Sequence, residues 1–182
     1  MKIRNRMAAL LLCMSIGATL VACGNETKSI GASGSVQNAS ESVASEQTQI
    51  ANPWVDAKDQ DDAQQQAGFT IQLPSSLPAE YGAPSFRVMP GDMLEADYAG
   101  DGDASICIRK ANGTDDPSGD YNDYSGSQQV KIGDADVTIK GNDGAVSLAV
   151  WNDGTNAYSI GIYNAAGITA EEMTQMVSEM ME

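Results

Sequence analysis

The residues best suited to bind something lie in one stretch, Asn112 to Ser125, which reads NGTDDPSGDYNDYS. Asp115, Asp116, Asp120 and Asp123 supply carboxylates there, and Tyr121 and Tyr124 supply aromatic surface. Loops rich in Asp, Asn and Gly can wrap calcium, which takes several oxygens at about 2.3–2.6 Å. The EF-hand template does not fit. Counting from Asp120, the third ligand position falls on Tyr124, and no Glu closes the loop. The alternatives are a solvated loop whose Asp and Gly residues make turns, or a recognition loop for another ligand. We take Asp120, Tyr121 and Tyr124 as candidates for ligand or partner binding and assign no metal. Asp101 and Asp103 form a second acidic turn.

Other chemistry is narrowed by composition. The chain has no histidine, which removes Ser-His-Asp and Cys-His catalysis, the HExxH site and most zinc sites. Acidic residues number 25 against 10 basic, a net charge of -15, so the basic footprint of a nucleic-acid binder is missing. Paired carboxylates could serve a glycosidase, but the sequence singles out no pair. Cys107 shares a strand parity with Ser105 and Arg109, and the guanidinium could lower the thiol pKa. Without a His or a resolving partner, a small half-buried core residue is the expected role. Trp151 shares a parity with Ala145, Ser147 and Ala149, opposite Val146, Leu148 and Val150. That predicts a large aromatic on the second sheet face, a candidate binding surface that Tyr163, not Tyr158, could join. The expectation is a protein that is not an enzyme and carries no cofactor.

The amino terminus reads as an address. Lys2, Arg4 and Arg6 precede an uncharged apolar run from Met7 to Ala22, short for a membrane span and right for a signal peptide. The run ends in Leu20-Val21-Ala22-Cys23, which resembles the lipobox of bacterial lipoproteins. The resemblance implies cleavage after residue 22 and a diacylglycerol thioether on Cys23, with added palmitate-type acyl chains. Two chains suffice for stable anchoring. The expected location is the cell membrane, lipid-anchored on the extracytoplasmic face. Residues 24–52 contain no aromatic residue and are rich in Ser, Ala, Gly, Asn and Gln, the composition of a flexible tether. Cys13 would leave with the signal peptide and Cys23 would carry lipid, so Cys107 would be the only free thiol.

Residues 53–182 then form a single domain. Asp59 can cap a short helix through Ala63 and Ala67 that ends at Gly68. Phe69 to Leu73 alternates as a strand does, and so do seven later segments carrying Val88, Leu94, Ile106, Val130, Val137, Leu148 and Ile160. Pro90-Gly91, Gly100-Asp101-Gly102, Gly133-Asp134, Asn142-Asp143-Gly144 and Asn152-Asp153-Gly154 read as hairpin turns. Thr169 and Glu172 form a capping box before Met173, Met176, Val177 and Met180, which share one helical face. The fold expected is α+β: a twisted antiparallel sheet of six or seven strands, with a short N-terminal helix and a C-terminal helix on one face.

A string of short motifs runs through this domain: Asn52-Pro53-Trp54, Ala67-Gly68-Phe69, Leu73-Pro74 with Leu77-Pro78, Ile108 to Ala111, Ser118 to Asn122, Val137 to Gly141, and Ala149-Val150-Trp151. The string resembles a domain of unknown function in surface lipoproteins of Gram-positive bacteria, found also beside anti-sigma-factor modules. The resemblance implies a non-catalytic or unassigned role and brings no site residues. Cys107 departs from the pattern. The function expected is an interaction or sensing module that meets an envelope protein or a small ligand. The alternatives are a carrier of an apolar ligand and a calcium-dependent binding module.

Overall fold

The computed structural model describes residues 51–164 and 166–182. The expected signal peptide, Cys23 and most of the expected tether lie outside the described residues. The domain is α+β, an eight-stranded antiparallel sheet with two helices. The strands are β1 (Val55–Ala57), β2 (Ser85–Met89), β3 (Met93–Ala99), β4 (Ser105–Asn112), β5 (Gly126–Ile132), β6 (Ala135–Asn142), β7 (Ala145–Asn152) and β8 (Asn156–Tyr163). Helix α1 (Gln60–Ala67) follows β1, and α2 (Ala170–Glu179) follows β8. The sheet order is β1-β2-β3-β4-β8-β7-β6-β5. Two four-stranded meanders therefore meet where β4 pairs with β8. One long connection, residues 113–125, carries the chain from the centre of the sheet to its far edge.

Local chemistry sets the element ends as the sequence predicts. The Asp59 side chain accepts the Asp62 N–H at 3.0 Å, and Gly68 closes α1 at φ 82°, a left-handed conformation that glycine takes without strain. Thr169 and Glu172 form both halves of the capping box on α2. All five predicted turns join neighbouring antiparallel strands.

Both helices pack on one sheet face. Ala63 and Ala67 of α1, and Met173, Met176, Val177 and Met180, join one buried cluster with Val88, Leu94, Ile106, Ile108, Ile139 and Ile160. Helix α1 lies against β1, β2 and β3, and α2 against β5 and β7. Burying each of these large aliphatic side chains contributes about 1.5–3 kcal/mol.

Three expectations are corrected. The sheet has eight strands, because Val55–Ala57 adds a three-residue edge strand on β2. Phe69 to Leu73 is not a strand. Its polar backbone is satisfied by side chains: Gln64 accepts the Ile71 N–H at 2.9 Å, and Gln60 donates to the Ile71 carbonyl at 2.9 Å. Helix α1 thus holds the segment alongside itself, and no neighbouring strand is needed. The third correction concerns β7. Val146, Ala149 and Trp151, not Leu148, belong to the helix-side cluster, because a register shift opposite Lys140 and Gly141 leaves Ser147 unpaired and breaks the alternation between Val146 and Leu148. Ala149, small on that side, lies beside Trp151, and Leu148 turns to the other face.

Candidate functional site

The second sheet face carries no helix among the described residues. The long connection crosses it instead. Arg109 on β4 donates Nη1 to the carbonyls of Pro117, at 3.1 Å, and Ser118. The Asp116 carboxylate lies 3.9 Å from Lys140 Nζ on β6, and the Ser125 N–H donates to the Asn142 side chain at 2.7 Å. Strands β8 and β7 run between those anchors, and Leu148 of β7 is fully buried although no helix covers it. Gly119 sits directly over the guanidinium: a Cβ there would meet Arg109 Nη1, and its φ of 61° is itself glycine territory.

The connection is stiffened by its own side chains. Asp116 accepts the Ser118 N–H, the Ser118 hydroxyl accepts the Asp120 N–H, and Asp120 accepts the Asn122 N–H at 2.7 Å. These are successive Asx and Ser turns. The other Asp120 oxygen accepts the Tyr124 hydroxyl at 2.7 Å. Two of the predicted residues, Asp120 and Tyr124, are therefore brought together. Tyr121, between them, points away and is 96% exposed. Tyr124 is half-buried and its hydroxyl pKa is pushed up to about 12 by burial and by the Asp120 carboxylate.

Trp151 is not part of this surface. It is buried on the helix side and stacks on Tyr158, ring centroids 5.2 Å apart and planes 6° from parallel. The two face each other across β7 and β8. The expected pairing with Tyr163 fails for the same reason, since Tyr163 has the other parity. Its ring folds back over Gly161, where a Cβ would lie 2.8 Å from the hydroxyl.

Tyr124 and Tyr163 line a cleft of about 710 Å³ at one end of the sheet, together with Asp101, Asp103 and Asp123. It gathers the predicted acidic turn and the acidic connection into one place. Among the described residues, no three acidic or thiol side chains are arranged to hold a metal ion.

Beside the connection runs a row that sequence reasoning missed. Glu95 on β3 is 2% exposed and accepts hydrogen bonds from Arg87 on β2 and, at 2.7 Å, from Arg109 on β4. Trp54 covers both guanidiniums, its ring centre 4.7 Å from Arg87 and 5.7 Å from Arg109. Burial by itself raises the Glu95 pKa, but the two arginines outweigh it and hold the carboxyl below its ordinary value. Asp97, one step along β3, has no such partner, and burial and Glu95 raise it. The alternation of β2, β3 and β4 does place Arg87, Glu95 and Arg109 at one parity. What hid the row was the register, which pairs Arg87 with Glu95 and Glu95 with Arg109.

Cys107 is buried beside this row, and burial pushes its thiol up to about 12. Arg109 lowers it by less than burial raises it, so the thiolate needed for nucleophilic work is not formed at neutral pH. The arrangement can present a rigid loop, an aromatic ring and hydrogen-bonding groups to another molecule.

No family model, curated protein or solved structure matches the chain.

Proposed function

We propose that the protein is a lipid-anchored lipoprotein of the extracytoplasmic membrane face whose domain binds another envelope protein. The observation that carries this reading is Tyr121. A tyrosine exposed to 96% is held out by a connection in which Asp120 accepts hydrogen bonds from Asn122 and Tyr124. An aromatic ring on a preformed loop loses little freedom on binding, which favours association. The resemblance to uncharacterised lipoprotein domains of Gram-positive bacteria agrees with it, and so does the apparent lipobox ending at Cys23. The apolar-carrier reading draws less support, because the space between sheet and helices is filled by side chains such as Leu94, Ile108, Met173 and Met176.

Cross-linking in intact native cells tests the proposal. The tagged protein is captured and its companions are identified, with Cys23→Ala as the unanchored control. The expected result is one reproducible envelope protein, lost or much reduced in the control, in which the domain leaves the membrane fraction. Recovery of no companion would count against the interaction role.

A further inference from the structure

The two edges of the sheet are unlike. The β1 edge is blunted: the strand has three residues, Pro53 lies just before it, Asp56 sits within it and Lys58 follows it. Short length, proline and charge are the devices that keep a sheet edge from pairing with another chain. The β5 edge has almost none of them. It runs for seven residues, contains no proline and keeps an unbroken register with β6. Gly126, Ser127, Gln128, Gln129 and Lys131 are exposed. The single charge, Lys131, is already turned on Asp136 of its own hairpin, at 3.3 Å. Among the described residues, no strand lies beyond β5.

The hairpin decides which backbone groups face outward. Gly133 and Asp134 form a two-residue turn between the paired residues Ile132 and Ala135. Residues flanking such a turn exchange hydrogen bonds, and bonded and non-bonded pairs then alternate along an antiparallel ladder. Ile132, Val130, Gln128 and Gly126 therefore spend their N–H and C=O groups on β6, while Lys131, Gln129 and Ser127 point theirs at the free edge. These three positions are self-complementary. An antiparallel copy centred on Gln129 sets Gln129 against Gln129, and Ser127 against Lys131 on both sides. Amide meets amide, and a small side chain meets a long one. Centring on Lys131 would set like charges opposite each other, which destabilises a strand pair, and centring on Ser127 would shorten the ladder. The chain carries a net charge of -15, yet β5 has no carboxylate, so two copies can meet at this strand without acid facing acid.

We propose that β5 pairs antiparallel with β5 of a second copy of this chain, about a two-fold axis at Gln129, joining the two sheets into one with both helix layers on the same side. Edge pairing alone buries little area, so the dimer is weak in dilute solution. Copies held on one membrane surface, as the proposed anchor would hold them, meet at a far higher effective concentration. The inference does not rest on Tyr121 or on a partner protein, and its failure would leave that reading standing.

The test is oxidative cross-linking of the full chain in its native cells. In the proposed pairing the two Gln129 Cα atoms lie about 5.5 Å apart, within the span a disulfide bridges. The expected result is a disulfide-linked dimer of the Gln129→Cys chain on a non-reducing gel, severalfold above two controls. One is Gln65→Cys, on the exposed side of α1; the other is the unsubstituted chain with the same native thiols. Ser127→Cys and Lys131→Cys chains expressed together should link to each other in preference to themselves. Co-capture of two differently tagged copies supplies a second reading. Gln129→Lys sets two ammoniums face to face and should cut co-capture about fivefold. Expressing it with Gln129→Glu should restore the pairing, which no folding defect would allow. Equal linking at Gln129→Cys and Gln65→Cys, or co-capture unchanged by Gln129→Lys, would overturn the proposal. So would linkage of Gln129→Cys to a different protein and not to its copy, which would assign this edge to a foreign strand.

Discussion

Glu95 is the residue on which the second sheet face depends. It is an almost fully buried carboxylate held by two guanidiniums under one indole. Removing one member of a buried ionic group strands the others, at a cost of about 3–5 kcal/mol. Glu95→Ala is expected near the lower end, since Arg87 reaches solvent with 45% of its side chain exposed. Chemical denaturation measures it. The pH dependence has a fixed sign. The folded-state pKa of Glu95 lies below its ordinary value of 4.5, so its contribution is complete above 4.5 and is lost as pH falls through the lower folded value. The gap in melting temperature between the wild type and Glu95→Gln should therefore be largest at neutral pH and close below about 4.5. A gap that stays constant down to pH 3 would mean the two arginines do not depress this carboxyl. Asp97 acts in the opposite direction, because its raised pKa makes its charged form a cost that vanishes on protonation.

At the scale of elements, the helices hold their places through caps and one apolar face each. Thr169→Ala removes an acceptor for the Glu172 N–H and one half of a reciprocal pair, so a loss of about 1 kcal/mol is expected, read as a lower melting temperature. An unchanged melting temperature would mean the last helix is fixed by Met173 and Met176 alone. Helix caps, hairpin turns and the α2 face were legible in the sequence because each is a local code, complete within four residues or one helical turn. The face of β7 was not. Parity assumes unbroken alternation and does not say which side meets the helices; the register shift at Ser147 puts Val146 with Ala149 and Trp151 on the helix side and Leu148 on the other. The connection crossing the second face reverses the usual inference, since it can bury Leu148 without a helix. The candidate site was partly legible. Asp120, Tyr121 and Tyr124 were found by composition, but their arrangement depends on Arg109 and Asn142, residues far along the chain.

On the scale of the whole molecule, the two meanders give the domain two unlike faces. The helix side closes the core, and the other side is roofed by a connection that holds out a single tyrosine. On the proposed anchor, like-charge repulsion would hold this acidic domain off anionic lipid within a Debye length of about 8 Å. The most direct measurement replaces Tyr121 with a photo-cross-linking phenylalanine analogue in native cells, beside a control that places the same analogue at Asp61 on the exposed side of α1. The account predicts one specific adduct at Tyr121, none at Asp61, and its disappearance with Cys23→Ala. Equal labelling at both positions, or none at Tyr121 while another surface captures the partner, would contradict it.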